Sequence, residues 1–240
     1  MRHLQQRRNT GAEHWISLSD IMTALMMIFL LISVIYMMKV KEAVEIPRLF
    51  KTNEQQLHAQ MSSELNETLI KWGAKLNPDL TVRFDNHEIL FTSGSAELNS
   101  QFKQALDEFF PKYIKNLMQD AYLGNIKEIR IEGHTSSHWA VGVAENESYI
   151  RNMQLSQSRA QNTLIYLLNH PELSNEEKDW LKRKFRALGY SSALTLGANG
   201  EPASVLNPES AEKSQRVEFR VVTTTEDKIR AIAYGMKSND

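Results

Sequence analysis

From Ile16 to Met38 the chain reads ISLSDIMTALMMIFLLISVIYMM, an apolar run interrupted by a single ionisable residue, Asp20. A helix needs about 20 mostly apolar residues to cross the hydrocarbon of a bilayer, and this run has that length. Trp15 and Tyr36 stand near its two ends, where amphipathic rings favour the interface. A cleaved signal peptide fits poorly, because the run is too long and no A-x-A-like site follows it. The sequence therefore predicts a short N-terminus (1–15) and an anchoring transmembrane helix over 16–38. Flanking charge leaves the orientation open: Arg2, Arg7 and Arg8 precede the span, while Lys39, Lys41, Arg48 and Lys51 follow it.

Asp20 is the residue of most interest in the span. A charged side chain at mid-membrane costs about 2.5–3.5 kcal/mol on insertion scales, so such groups face a protein or water-filled interior. One turn into the helix, Asp20 can instead sit near the headgroups or cap the helix beside Ser17 and Ser19. Position alone does not choose between an interfacial acid and an ion path. A lone helix cannot enclose a path, so the second reading demands partner helices.

The 240 residues leave room for one full-size domain beyond the span. The absence of cysteine excludes a disulfide framework and a thiolate zinc site. A net charge of −1 argues against direct nucleic-acid binding. Residues 39–77 are polar and charged and read as a linker or stem. Pro47 is expected to break any helix continuing from the span. Beyond it, Leu57, Met61, Leu65, Thr68 and Trp72 recur at spacings of three and four, one face of a helix. That stripe can pair with a second copy or lie on the following domain, and Asn77-Pro78 is expected to end it.

A folded domain is expected over 78–225, with a tail over 226–240. Thr81–Phe84 and Ile89–Phe91 read as two short strands around the turn Asp85-Asn86. Residues 100–119 carry a helical face interrupted near Pro111, and Ile126–Ile131 alternates as a half-buried strand. Leu155–Leu168 reads as a helix with Ala160, Leu164, Leu167 and Leu168 inward. Glu176–Leu188 reads as another helix, and Arg216–Val222 as a closing strand. Strands separated by helices in this order predict an α+β domain, a mixed sheet with helices on one face.

Three ordered segments, Phe91-Thr-Ser-Gly-Ser-Ala-Glu-Leu98, Ile131-Glu-Gly-His-Thr135 and Asn152-x-x-Leu155-Ser156-x-x-Arg159-Ala160, resemble the OmpA-like peptidoglycan-binding domain. Ser214-Gln-Arg216-Val217 is similar to that family's closing N-R-R-V, with only the second Arg retained. The resemblance covers roughly residues 80–225, and the ordered set is far more specific than any one piece. Separately, Asp20-Ile-Met-Thr-Ala-Leu-Met-Met-Ile-Phe-Leu30 resembles the span of MotB-type stator subunits, whose aspartate carries the ion. Ser17-Leu-Ser-Asp-Ile-Met-Thr23 followed by Leu25-Met26 looks most similar to the B subunits of Zorya anti-phage defence systems, ahead of flagellar MotB.

The resemblance implies a single-pass inner-membrane protein with a cytoplasmic N-terminus and a periplasmic wall-binding domain. It implies a homodimer enclosed by a MotA-like multi-span partner, with a proton or sodium ion passing at Asp20 and no other cofactor. For the wall ligand it implies Asn152, Leu155, Arg159, Thr135 and Ser136. Arg159 suits a stem-peptide carboxylate through a two-pronged hydrogen bond. The family carries Asp where this chain has Ser136; either Glu145 or Glu147 in a long following loop supplies the missing charge, or ligand affinity is weaker or altered, and the sequence does not choose. His134 and His138 lack an obvious third ligand, so no metal is expected. No Ser-His-Asp, P-loop or paired-carboxylate constellation occurs, so no enzyme is expected. A passive membrane-to-wall tether and a sensor that relays wall strain or phage arrival stand as alternatives to the ion-driven stator.

Overall fold

The computed structural model describes residues 9–92, 94–225 and 227, with the side chains of 9–17, 42–50, 87 and 88 left aside. Residues 1–8 of the expected N-terminus, Ser93, and all of the expected tail but Asp227 lie outside the described residues. Two compact units are present, one comprising residues 9–50, the other residues 51–92, 94–225 and 227.

In the first unit, helix α1 (Asn9–Lys71, continuing into the second unit) contains an apolar stretch, Leu18–Lys41, long enough to cross a membrane. Nearly every side chain along it is exposed, as expected of a surface that meets lipid or other helices rather than a core of its own. The expected break at Pro47 does not occur. Proline removes one amide donor from a helix, and a long helix with good formers on both sides can absorb that loss.

The second unit is built on a five-stranded sheet of order β1-β2-β5-β3-β4. The strands are β1 (Ala74–Leu76), β2 (Thr81–Phe84), β3 (Ile126–His134), β4 (Phe185–Gly189) and β5 (Arg216–Thr223). All neighbours are antiparallel except β3 and β4, which makes the sheet mixed. Helices α2 (His87–Leu90), α3 (Ser100–Leu117), α4 (Asp120–Leu123), α5 (Glu145–Leu168), α6 (Asn175–Lys184) and α7 (Ala211–Ser214) connect them.

Alternation gives the sheet two distinct faces. Val82, Phe84, Ile129, Ile131, Val217, Phe219 and Val221 point to one side and are buried in a single core with α1, α3, α5 and α6. Its centre is aromatic: Phe84, Phe102, Phe109 and Phe219 meet edge to face with centroids 5.4–5.9 Å apart. Arg83, Glu132, His134, Arg216, Glu218 and Arg220 alternate onto the other side. The loop between β4 and α7 lies against that face, where Leu194 and Gly200 carbonyls accept from Arg216 and Arg83.

The stem stripe belongs to this core. Leu57, Met61, Leu65 and Leu69 are buried within it and Trp72 packs against it. Polar contacts rim the seam, including Asn116 to Glu64 at 3.0 Å and Lys71 to Glu108 at 2.6 Å. The helix stops at Lys71 rather than at Asn77-Pro78, because Gly73 takes a left-handed φ of 65° and turns the chain into β1.

Three further expectations are corrected. Ile89–Phe91 forms no strand: both edges of β2 are taken, by β1 and β5, and 87–90 closes into helix α2. Helix α3 runs unbroken through Pro111, whose cost of about 3 kcal/mol is offset by the fully buried Phe109, Phe110 and Tyr113 around it. The helix expected over Glu176–Leu188 ends at Lys184, and Phe185–Gly189 instead pairs in parallel with the outer edge of β3.

Core membership of the stem has a measurable consequence. In fragment 51–228, Leu65→Ala should lower unfolding free energy by about 2–5 kcal/mol. Urea denaturation measures it, and a loss near zero would mean that the stripe is not part of the core.

Candidate functional site

Two glycines bring helix α5 against the sheet. A β-carbon at Gly133 would lie 2.2 Å from the Ser156 carbonyl oxygen, and one at Gly189 would lie 2.5 Å from the Gln157 amide nitrogen. Ser156, fully buried in this seam, donates to the Met153 carbonyl and accepts from the Ser191 amide, each at 3.0 Å. The Ser191 carbonyl in turn accepts from the Thr135 amide at 2.9 Å. The loop that leaves β3 is thus fixed to the helix through short polar links.

Asn152, Leu155, Ser156 and Arg159 follow one another at i, i+3, i+4 and i+7 and share one face of α5. Asn152 is buried and donates to the Ser136 carbonyl at 3.0 Å, which joins the helix to Thr135 and Ser136. Leu155 is half-buried, whereas Thr135 and Ser136 are buried, and the Thr135 hydroxyl has no partner among the described residues.

Arg159 is 4% exposed. Its Nε donates to the Ser95 carbonyl at 3.0 Å, and its guanidinium stacks on Phe91 with 4.8 Å to the ring centroid. Asn162 holds the same loop through the Ala96 carbonyl at 2.8 Å. No carboxylate pairs with Arg159 among the described residues, and its terminal nitrogens make no hydrogen bond there. Burial pulls its pKa down to about 10, so the group stays charged at neutral pH. Holding it there costs about 3 kcal/mol, which an anionic ligand can offset. A buried, unpaired guanidinium framed by an amide and an apolar side chain has donors left that a carboxylate could engage.

The loop after Ser136 differs from expectation. Helix α5 begins at Glu145, so Glu145 and Glu147 lie in its exposed first turn, and Glu147 is bridged to Arg151. The acid that touches the loop is Glu209, which accepts from the Ser137 amide at 2.8 Å and from the Ser137 hydroxyl. It comes from an irregular segment 72 residues away, and no sequence signal pointed to it.

Beside this site, Glu132, His134 and Glu218 place ligand-type atoms within 4.8 Å of one another. Guanidinium groups already occupy the cluster: Arg216 and Arg83 meet the same Glu218 oxygen at 2.7 and 2.8 Å, and Arg220 lies 3.7 Å from Glu132. A divalent cation would enter a site whose carboxylates are already neutralised, so the cluster reads as a buried ion network. His134 stacks on Tyr190 at 5.1 Å, with neither ring nitrogen hydrogen-bonded among the described residues, and burial lowers its pKa. His138 is exposed.

Burial would raise the Glu218 carboxyl, but Arg216, His134 and Arg83 outweigh it and hold the pKa at about 2. Both shifts are downward, so their stability is present at higher pH and lost on acidification. The loss should begin as pH falls below 6.5, with His134, and continue from 4.5 towards about 2, with Glu218. Glu218→Gln should cost about 3–5 kcal/mol at neutral pH by leaving buried Arg216 unpaired, and should flatten the lower part of this profile. Urea unfolding of fragment 51–228 across pH measures both effects.

No protein-family model matches the chain. The chain is 38% identical over 231 residues to a Zorya protein ZorB of Escherichia coli, covering 94% of each. A second Escherichia coli Zorya protein ZorB is 26% identical over 233 residues, covering 91% of this chain and 84% of that protein. Among solved structures, a MotB-like protein from Desulfovibrio vulgaris superposes with a TM-score of 0.48 at 20% identity, covering 74% of this chain and 98% of that one. With a near-full-length match at this identity, the chain belongs to the ZorB family of Zorya proteins.

Proposed function

We propose that this chain is the wall-anchored subunit of an ion-driven inner-membrane stator that acts in Zorya anti-phage defence. The observation that carries the reading is Arg159, a buried cation whose counter-ion the described residues do not supply. Peptidoglycan stem peptides that contain diaminopimelate present a carboxylate and an ammonium group at one end. Arg159 takes the carboxylate, Asn152 and Leu155 frame it, and Thr135 and Ser136 line the adjoining backbone. Glu209, beside the position where OmpA-like domains carry aspartate, takes the ammonium.

In the same chain, Asp20 lies in the apolar stretch of α1 with no hydrogen bond or ion pair among the described residues. Such an acid is tolerated where partner helices enclose it. The reading therefore includes a MotA-like multi-span partner, a second copy of this chain as the simplest symmetric axle, and an N-terminus on the cytoplasmic side. Each ion that descends the membrane potential delivers about 2.3 kcal/mol per 100 mV, and a clamp on the wall holds the axle against the resulting torque.

The two halves are tested separately. Arg159→Ala with Asn152→Ala should weaken pelleting of fragment 51–228 with peptidoglycan sacculi by about 1.5–3 kcal/mol, the worth of a charge-assisted hydrogen bond. Unchanged pelleting would place the ligand elsewhere. Asp20→Asn should leave membrane insertion intact and abolish phage protection, because an amide neither takes up nor releases a proton. Full protection by that variant would leave a passive tether or a sensor.

A further inference from the structure

The side chain one turn beyond Asp20 is oriented by a hydrogen bond of its own. Thr23 Oγ1 donates to the Ser19 carbonyl, four residues back, at 2.8 Å. This back-bond fixes the threonine rotamer and commits the only hydrogen that the hydroxyl has. What remains on Oγ1 is acceptor capacity alone. Asp20 and Thr23 stand at i and i+3 on one helix face, about 5–6 Å apart at their β-carbons; no hydrogen bond joins them in the structure, so a turn of the Asp20 side chain is needed for the two polar ends to meet.

The two charge states of Asp20 meet this neighbour differently. An ionised carboxylate is an acceptor only, so it gains nothing from a hydroxyl whose hydrogen is already engaged. A protonated carboxyl carries one O–H donor, and Thr23 Oγ1 offers the acceptor for it. Apolar side chains make up most of the span and offer no competing acceptor, so the pairing distinguishes the two states more sharply than it would on a polar surface.

We propose that Thr23 is the proton-loading partner of Asp20, accepting a hydrogen bond from the protonated carboxyl and none from the ionised one. This inference rests on the ion-carrier reading of Asp20. On loading, a proton adds to an Asp20 carboxylate oxygen, and the new O–H bond points to Thr23 Oγ1. On release that O–H bond breaks, the proton leaves to water, and Thr23 keeps its bond to the Ser19 carbonyl throughout. The hydroxyl thus gives the loaded, neutral carboxyl a hydrogen-bond partner that the ionised form lacks.

The test is proton flux into proteoliposomes that hold the full chain with its multi-span partner subunit. Flux is driven by a potassium diffusion potential and read with an internal pH dye. Thr23→Val keeps the branched shape and removes the acceptor. It should reduce flux about tenfold at neutral pH, with recovery towards wild type as the loading side is acidified. Thr23→Ser, which retains the back-bonded hydroxyl, should conduct as wild type at every pH. A Thr23→Val loss that is equal at all pH values, or no loss, would overturn the assignment. So would a wild-type flux that requires sodium, since the lone pairs would then serve a metal cation. Asp20→Asn separates the two levels. If it conducts like wild type, the carrier reading itself fails; if it is silent while Thr23→Val is unaffected, only the role of Thr23 is lost.

Discussion

The distance between helix α5 and strands β3 and β4 governs everything that the folded unit offers a ligand. At Gly133 and Gly189 the helix backbone occupies the space that a β-carbon would need, and no rotamer change can relieve a clash with backbone. Alanine at either point would lift the helix, and with it Asn152 and Arg159, away from the loop that follows β3. The short polar chain through Ser156 and Ser191 then keeps the register of helix against loop. The site is therefore a product of close packing, and its polar residues are placed by what lies beneath them.

The two faces of the sheet follow different physics. The helix-covered face is held by aromatic and aliphatic burial, which is non-directional and tolerant of exchange among residues of similar volume. The opposite face is held by directional pairs in a confined space. Glu218 serves two guanidinium groups through one oxygen while His134 lies near its other oxygen. Such a network is intolerant of single losses, because each removal strands a charge. Its members Glu132 and His134 stand on β3 immediately before Thr135, so the network braces the strand end that leads into the site.

Periodicity made part of this fold legible and left a definable remainder. Strands β3 and β5 and the second half of helix α5 are readable because alternation and helical spacing report which residues share a face, whereas Glu145–Gln154 reads as loop. They do not report what that face meets, so Leu57, Met61 and Leu65 could be recognised as a stripe while their place in the domain core could not. Short apolar runs carried the least information. Ile89–Phe91 reads as a strand and Phe185–Leu188 as the end of a helix, yet a free sheet edge at β3 made only the second a strand. Pro47 and Pro111 both lie inside helices, since the cost of one lost donor is small beside the burial or length of the helix that contains it. For the candidate site, Asn152, Leu155 and Arg159 rest on the motif resemblance and share one helix face, whereas Glu209 reaches the loop through a segment whose course no local rule specifies.

The unpaired charge at Arg159 also ties attachment to survival. A domain that buries a cation without its counter-ion is less stable than the same domain with an anion in place, and ligand occupancy adds RT ln(1 + [L]/Kd) to the folding free energy. Under the proposed reading, copies engaged with the cell wall are the resistant ones. Copies that have not found it open more often and are exposed to periplasmic proteolysis, so the population is sorted by whether each molecule has an anchor to pull against.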